Sequence, residues 1–478
     1  MKYLLACFIL FLSVQKSFSQ TQTINYTDAL HLINLWIEAQ RDYADVPSIS
    51  VAIVNDQETI WRKAFGLANS EGKVPASSNT LYSICSISKL FTSVAIMQLY
   101  DAGKLRLDDN IEAILPHYKL KQQYKESGPI TIRSLLTHSS GLPRESDYPY
   151  WTGPDFPFPS KEQMNLKLGE QQTLYPSSTI FQYSNLGMSL LGEVVEKISG
   201  QPYDQYVEDN ILKPLKLAST HPYIPKEEWG KKMAIGYGAT KREGPRDRVN
   251  LFDAKGIKAA AGFTSNVEDL ARFASWQFRL LTNGGAEILK SSTLKEMHRV
   301  QWVDPDFRTF WGLGFGIAQL DGTIMIGHGG SCPGYRTTFQ LDPKEKMGYI
   351  VMINAGGESP DLIAKEIREI ISKIPKDKSP KKSNVDLEQY SGTYTSQPWG
   401  SEKIIMPWYG DLVMLNLPTE NPDEGMTVLQ HISGDTFKRV RRDKTLGEEI
   451  RFEKDNSGKV IKVLQHSNYS NRIIPDKK

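Results

Sequence analysis

Cysteine is scarce and neither charge sign dominates: the 478 residues hold three Cys, with 57 Lys+Arg against 55 Asp+Glu. Three thiols cannot build a disulfide scaffold. Balanced charge leaves no global field to draw nucleic acid or an anionic membrane surface. No fixed-period self-similarity runs along the chain, which removes repeat, collagen and coiled-coil architectures. Past the N-terminus, no apolar stretch reaches the ~18 residues of a membrane span. The chain has no Gly-x-Ser-x-Gly elbow, so the usual α/β-hydrolase signature is missing. It has no His-Glu-x-x-His or paired-cysteine spacing, so no zinc is expected. Gly312-x-Gly314-x-Gly316 does not open a helix after a strand, so no dinucleotide site is expected there, and no cofactor is expected of the chain. What is present is ordinary for a globular protein, 40% hydrophobic and 23% charged residues.

The N-terminus reads as a signal. Lys2 precedes the apolar run 4–12 and then Ser17-Phe18-Ser19, with small residues at −3 and −1 of a cut after Ser19. That layout predicts a signal peptide over 1–19 and export to the periplasm or medium. Without that segment, which holds Lys2 and Lys16, 55 basic residues face 55 acidic ones.

Periodicity then sets the organisation. Leu30, Ile33 and Ile37 recur at helical spacing, with Leu32 and Trp36 beside them. Ile49, Val51 and Ile53 alternate into a strand, Asn55-Asp56 turns, and 60–65 returns as the second arm of a hairpin. Strand signals come back at 324–326, 337–341 and 349–353, followed by an amphipathic helix carrying Leu362, Ile363, Ile367, Ile370 and Ile371. Strands at both ends with helices between predict an α/β fold of the α+β type: one antiparallel sheet flanked by helices, with an inserted helical subdomain. This catalytic domain is expected over 20–373. Segment 373–384 is polar, basic and Pro-containing, which places a linker at 374–385. Beyond it, short strand candidates at 390–394, 404–406, 412–417, 426–429, 450–452 and 460–464 predict a small all-β C-terminal domain over 386–478. The basic cluster Lys438-Arg439-Arg441-Arg442 lies close to Asp443, Glu448 and Glu449 and reads as a solvated strand face.

The chemistry starts at Ser86-Ile87-Ser88-Lys89, which runs straight into an apolar helical pattern at Leu90, Phe91, Val94, Ala95 and Met97. If the helix starts at Ser86, residues three apart share a face and the hydroxyl sits beside the amine. A serine hydroxyl needs such a base to become a nucleophile, and a desolvated lysine can shed its charge to act as one. Tyr183-Ser184-Asn185 precedes a second apolar helix, and His328-Gly329-Gly330-Ser331 follows the strand at 324–326. These supply a phenol to relay protons, with a pKa lowered by cationic neighbours, and an amide on Asn185 to orient substrate. His328 and the glycine-rich stretch would let substrate approach the backbone.

Together with Ile-Arg-Ser-Leu-Leu-Thr-His-Ser-Ser-Gly-Leu-Pro at 132–143, Ala-Gly-Phe-Thr-Ser at 261–265, Asp-Leu-Ala-Arg-Phe at 269–273 and Gly-Leu-Gly-Phe-Gly at 312–316, these motifs resemble one family. It is that of serine hydrolases related to class C β-lactamases and D-alanyl-D-alanine carboxypeptidases. The resemblance covers about residues 25–372. It implies an acyl-enzyme on Ser86, proton shuttling by Lys89 and Tyr183, and an oxyanion hole from the backbone N–H groups of Ser86 and Ser331. It also implies that His138, in the Thr-His-Ser-Ser-Gly turn, is a structural hydrogen-bonder, and that the C-terminal domain is a lipocalin-like or barrel appendage.

Two departures bear on substrate. Relatives that destroy β-lactams usually carry lysine where this chain has His328, and a neutral imidazole holds a carboxylate less firmly. Arg336 either replaces that cation or points to solvent. Cys85 and Cys332 flank the nucleophile and the second oxyanion residue; they either bridge, as in some carbapenem-hydrolysing class A enzymes, or stay as free thiols. The expected activity is hydrolysis of small esters or amides, including D-amino-acid peptides. The alternatives are a DD-peptidase or class C-like β-lactamase, and a slowly deacylating penicillin-binding sensor.

Overall fold

The computed structural model describes residues 24–124, 126–320, 322–375 and 383–473. The signal-peptide segment 1–19 lies outside the described residues, as does most of the expected linker.

The helix Thr27–Tyr43 buries Ala29, Leu32, Ile33, Trp36 and Ile37 along one stripe. The chain then enters β1 (Ser48–Asn55), returns as β2 (Glu58–Asn69) and adds the short β3 (Val74–Pro75). A two-residue strand β4 (Tyr82–Ser83) pairs with β5 (Thr264–Ser265) just before the turn that carries Ser86. After the helical part come β6 (Trp302–Val303), β7 (Phe310–Trp311), β8 (Gly316–Leu320), β9 (Thr323–Cys332), β10 (Tyr335–Asp342) and β11 (Met347–Ile353). The sheet order is β3-β2-β1-β11-β10-β9-β8-β7-β6, and the pairings of the two chain ends, Ile49↔Ile353 and Val51↔Val351, are antiparallel.

Both faces of this sheet are covered, which is why β1 and β11 are buried almost along their whole length. Ala52, Val54, Ile350 and Met352 join the core of the helical part. Val51, Ile53, Val351 and Ile353 join the other core, built on Thr27–Tyr43 and Pro360–Ser372. The expected antiparallel sheet from two chain ends is therefore present. It extends further than the sequence suggested, through β6, β7 and β8, and the whole His328–Ser331 stretch lies inside β9 rather than after a strand.

The C-terminal part contributes β12 (Gly392–Thr395), β13 (Glu402–Trp408), β14 (Asp411–Leu417), β15 (Thr427–Ser433), β16 (Thr436–Val440), β17 (Leu446–Lys454), β18 (Val460–Gln465) and β19 (Asn468–Asn471). Each pairs antiparallel with the next, and a Tyr394↔Arg472 bridge joins the first strand to the end of the last, closing a barrel. Alternation splits β13 and β14 between two cores. Ile405, Leu412 and Met414 fill the barrel. Ile404, Met406, Trp408, Val413 and Leu415 face outward onto the N-terminal domain. Trp36 Nε1 donates to Thr419 O at 2.9 Å and Tyr409 OH to Asn25 O at 2.7 Å, fixing the barrel against the N-terminal helix. No helix among the described residues is long and apolar enough to cross a membrane.

Candidate active site

The helix was expected to begin at Ser86. Instead Cys85–Ile87 forms a 3₁₀ turn and the α-helix runs Ser88–Asp101. Cys85 sits in the left-handed region at φ 51°, a conformation that costs energy in a non-glycine residue and recurs at functional turns. Ser88, the unassigned serine of the motif, holds the turn: its hydroxyl donates to Cys85 O at 2.5 Å and accepts from Phe263 N–H at 3.0 Å. The helix that follows is buried on nearly every side, which explains its apolar pattern and drives Lys89 into the interior.

Lys89 is fully buried, and its Nζ lies 3.1 Å from Ser86 Oγ. The same nitrogen donates to Asn185 Oδ1 and to Ala260 O, each at 2.8 Å. Burial pulls its pKa well below the ordinary lysine value; the nearby Glu145 carboxylate opposes that shift and Arg144 reinforces it. A neutral amine has two hydrogens and one lone pair. The two carbonyl-type acceptors take the hydrogens, which leaves the lone pair for the Ser86 hydroxyl.

Asn185, expected to orient substrate, uses both ends of its amide inside the protein. Oδ1 serves Lys89, and Nδ2 donates to Glu145 Oε1 at 2.8 Å and Oε2 at 3.1 Å. Its side chain is buried. Sequence reading missed Glu145. This carboxylate also accepts from Tyr150 OH and from Trp151 Nε1 (3.1 Å), and pairs with Arg144. The signal available was the charged pair Arg144-Glu145 directly after the 132–143 motif.

Tyr183 is hydrogen-bonded to Ser86, with Lys89 Nζ and the Arg144 guanidinium each 4.8 Å from its ring centre. The sequence suggested a lowered pKa. Burial instead pushes the phenol up, outweighing the contributions of Ser86 and Arg144. Tyr183 is thus a protonated donor in the resting site. Its hydroxyl lies 3.5 Å from His328 Nε2, while His328 Nδ1 lies 2.5 Å from Gly329 O. The carbonyl can only accept, so Nδ1 carries the hydrogen and Nε2 is free to accept from Tyr183. Burial and Lys89 lower the His328 pKa to about 3, keeping the ring neutral. The His138 ring lies tilted 4.3 Å from that of Tyr183, and its Nδ1 accepts from Ser184 N–H at 3.2 Å.

The cleft has a volume of about 420 Å³, and Ser86, Tyr183, His328, Gly329, Gly330, Ser331 and Arg336 all line it. Arg336 does not simply point to solvent: its Nη1 donates to Cys332 O (3.0 Å) and Tyr335 O (2.9 Å) at the rim. Arg144 lines the same cleft and was also missed. Cys85 and Cys332 are joined in a disulfide with their Cα atoms 5.6 Å apart, tying the turn that carries Ser86 to β9. Among the described residues, no group of three or more His, Cys, Asp or Glu is arranged to hold a metal ion.

Fold and site together define a β-lactamase/transpeptidase-like protein, a fold generally used by serine hydrolases. The beta-lactamase family model matches residues 33–371, and the chain belongs to that family. It is 27% identical over 333 residues to Beta-lactamase-like protein 2 of Dictyostelium discoideum, covering 68% of this chain and 59% of that one. The chain thus spans about three fifths of the length of curated relatives it matches. The octameric penicillin-binding protein homologue from Pyrococcus abyssi superposes with a TM-score of 0.64 at 25% identity, over 92% of this chain and 99% of that one. A D-stereospecific amidohydrolase from Streptomyces sp. gives a TM-score of 0.58 at 23% identity, over 70% of this chain and 97% of its own.

Proposed function

We propose that the protein is an exported serine hydrolase that cleaves small esters or amides, D-amino-acid peptides among them, through an acyl-enzyme on Ser86. The observation that carries this reading is the buried Lys89 amine 3.1 Å from Ser86 Oγ, with its hydrogens held by Asn185 and Ala260. Ser86 Oγ attacks the carbonyl carbon as its proton passes to Lys89. The backbone N–H groups of Ser86 and Ser331 receive the oxyanion, each such donor being worth about 10²–10³ in rate. Tyr183 passes a proton to the departing alcohol or amine and is restored from Lys89. Water then attacks the acyl carbon, loses its proton along the same path and releases Ser86. Export is supported by the composition of residues 1–19 and by the buried Cys85–Cys332 bridge, which suits an oxidising compartment.

A second reading, a DD-peptidase or β-lactamase, is favoured by one feature: Arg144 and Arg336 both line the cleft and could hold a substrate carboxylate. One set of assays separates the readings, using a p-nitrophenyl ester, D-alanyl-D-alanine peptides, nitrocefin and a fluorescent penicillin. Ester turnover abolished by Ser86→Ala supports hydrolysis on Ser86. Faster turnover of the peptide or nitrocefin than of the ester supports the second reading. Stable penicillin labelling without turnover of any substrate would instead make the protein a sensor. Full ester turnover by Ser86→Ala would overturn the proposal.

A further inference from the structure

A cavity larger than the Ser86 cleft belongs to the C-terminal barrel. Its interior is divided along the axis. Tyr390, Phe437, Ile450 and Phe452 close it with an apolar core. The other end, between the β12–β13 and β18–β19 turns, is a cavity of about 970 Å³ lined by Lys403, Asn416, Gln465, Asn468 and Ser470, with the fully exposed Trp399 at its rim. Lys403 occupies an inward position, because β13 alternates: Ile404 and Met406 face the N-terminal domain while Ile405 faces the barrel core. Its register neighbours are Tyr394 on β12 and Asn416 on β14, both neutral. The residue is only 8% exposed. Its amine makes one long hydrogen bond, 3.4 Å to Gln465 Oε1, and among the described residues no carboxylate pairs with it. The adjacent acid, Glu402, also lines the cavity but engages Tyr43 on the N-terminal helix rather than Lys403.

A cation withdrawn from water without a counter-ion is unfavourable, and buried charges are normally paired. Here the unpaired charge opens onto a cavity of ligand size, ringed by side-chain amides and a hydroxyl able to orient a polar molecule. We propose that the open end of the barrel is a second binding site, separate from Ser86, for a small polar molecule whose carboxylate pairs with Lys403. The carboxylate supplies the missing counter-charge. Asn416, Gln465, Asn468 and Ser470 hydrogen-bond the remainder, and Trp399 covers it from the rim.

The test uses the full chain carrying Ser86→Ala, so that no probe is consumed, and titration calorimetry with two pairs of probes. These are D-galacturonate against D-galactose, and N-acetyl-D-alanine against N-acetyl-D-alaninamide. At least one acid should bind roughly tenfold or more tightly than its neutral partner. Lys403→Met should weaken that binding by the same factor, while Lys403→Arg should keep most of it. Near-UV circular dichroism checks that both variants fold, and with Ser86 present both should hydrolyse the ester at the rate of the parent. If Lys403→Met unfolds the barrel, Lys403→Gln takes its place. Equal binding of acid and amide or sugar, no binding of any probe at millimolar concentration, or acid binding that survives loss of Lys403 and disappears with Arg336→Ala would each overturn the proposal. The last result would place the acid in the catalytic cleft.

Discussion

At the scale of single residues, the site turns on which group can accept a proton at rest. Lys89 is desolvated and Tyr183 is pushed up, so under the proposed mechanism the amine, rather than the phenol, serves as the resting base. Lys89→Ala should therefore lower kcat for ester hydrolysis by about 10²–10⁴ with folding intact. Lys89→Arg should do no better, since a guanidinium cannot give up its proton. Near-normal turnover by either variant, measured with circular dichroism to confirm the fold, would assign the base elsewhere. Glu145 offers a finer check. Its carboxylate raises the Lys89 pKa and holds the Asn185 amide in place. Glu145→Gln removes the negative charge, so the protonated amine becomes less favourable and its pKa falls further. The rising limb of kcat/KM against pH should shift to lower pH, together with a loss of about tenfold in kcat from the loosened amide. A loss of rate with the limb unmoved would mean that Glu145 acts through packing alone. Ser86 and Lys89 were legible in the sequence because three residues on one helical turn fix their distance. Arg144 and Glu145 were not, because they reach the site from a loop about forty residues before Asn185, where no local period announces them.

At the scale of elements, β9 and the turn that carries Ser86 approach too closely for an ordinary side chain. A Cβ on Gly330 would lie 2.4 Å from Ile84 O and 2.2 Å from Thr337 Oγ1, and Thr337 itself donates to Ile84 O at 3.2 Å. On Gly329, the nearest atom would be 3.8 Å away. Gly330→Ala should thus cost about 1–3 kcal/mol in urea unfolding and displace β9 from Ser86, reducing kcat. Gly329→Ala should fold as the parent does and alter chiefly KM, because its new methyl enters the cleft. Equal stability losses in the two variants would contradict this assignment. The same register accounts for what was readable in the elements. Ile49, Val51 and Ile53 alternate over a strand covered on both faces, so sequence found it. Strand β16 escaped because only Phe437 points inward amid Thr436, Lys438 and Arg439, and the pairing shifts between Lys438 and Val440. Strand β19, Asn-Tyr-Ser-Asn, has no apolar alternation at all and exists by pairing with β18 and completing the barrel.

At the scale of the whole molecule, the barrel and the N-terminal domain share a core. Strands β13 and β14 pack on the Thr27–Tyr43 helix, and the Pro422–Gly425 turn packs on Pro360–Ser372. The outward faces Ile404, Met406 and Trp408 lie in one apolar cluster with Trp36, Ile367 and Ile370. Each fully buried aliphatic or aromatic side chain contributes about 1.5–3 kcal/mol, so the joint supports both halves. The cleft is built without the barrel: every residue lining it precedes the linker, and the Ser88–Asp101 helix packs on the opposite face of the sheet. Ending the chain at Lys373 should therefore leave ester turnover per active site close to that of the full chain, counted by fluorophosphonate titration. It should also lower Tm and promote self-association, because Trp36 and its neighbours lose their cover and Trp36 Nε1 loses Thr419 O. Light scattering behind gel filtration reads the second effect. A truncated protein as stable and monomeric as the parent would show the shared core to be dispensable. A stable truncated protein with turnover reduced a hundredfold would show that the barrel reaches the chemistry by a route other than packing.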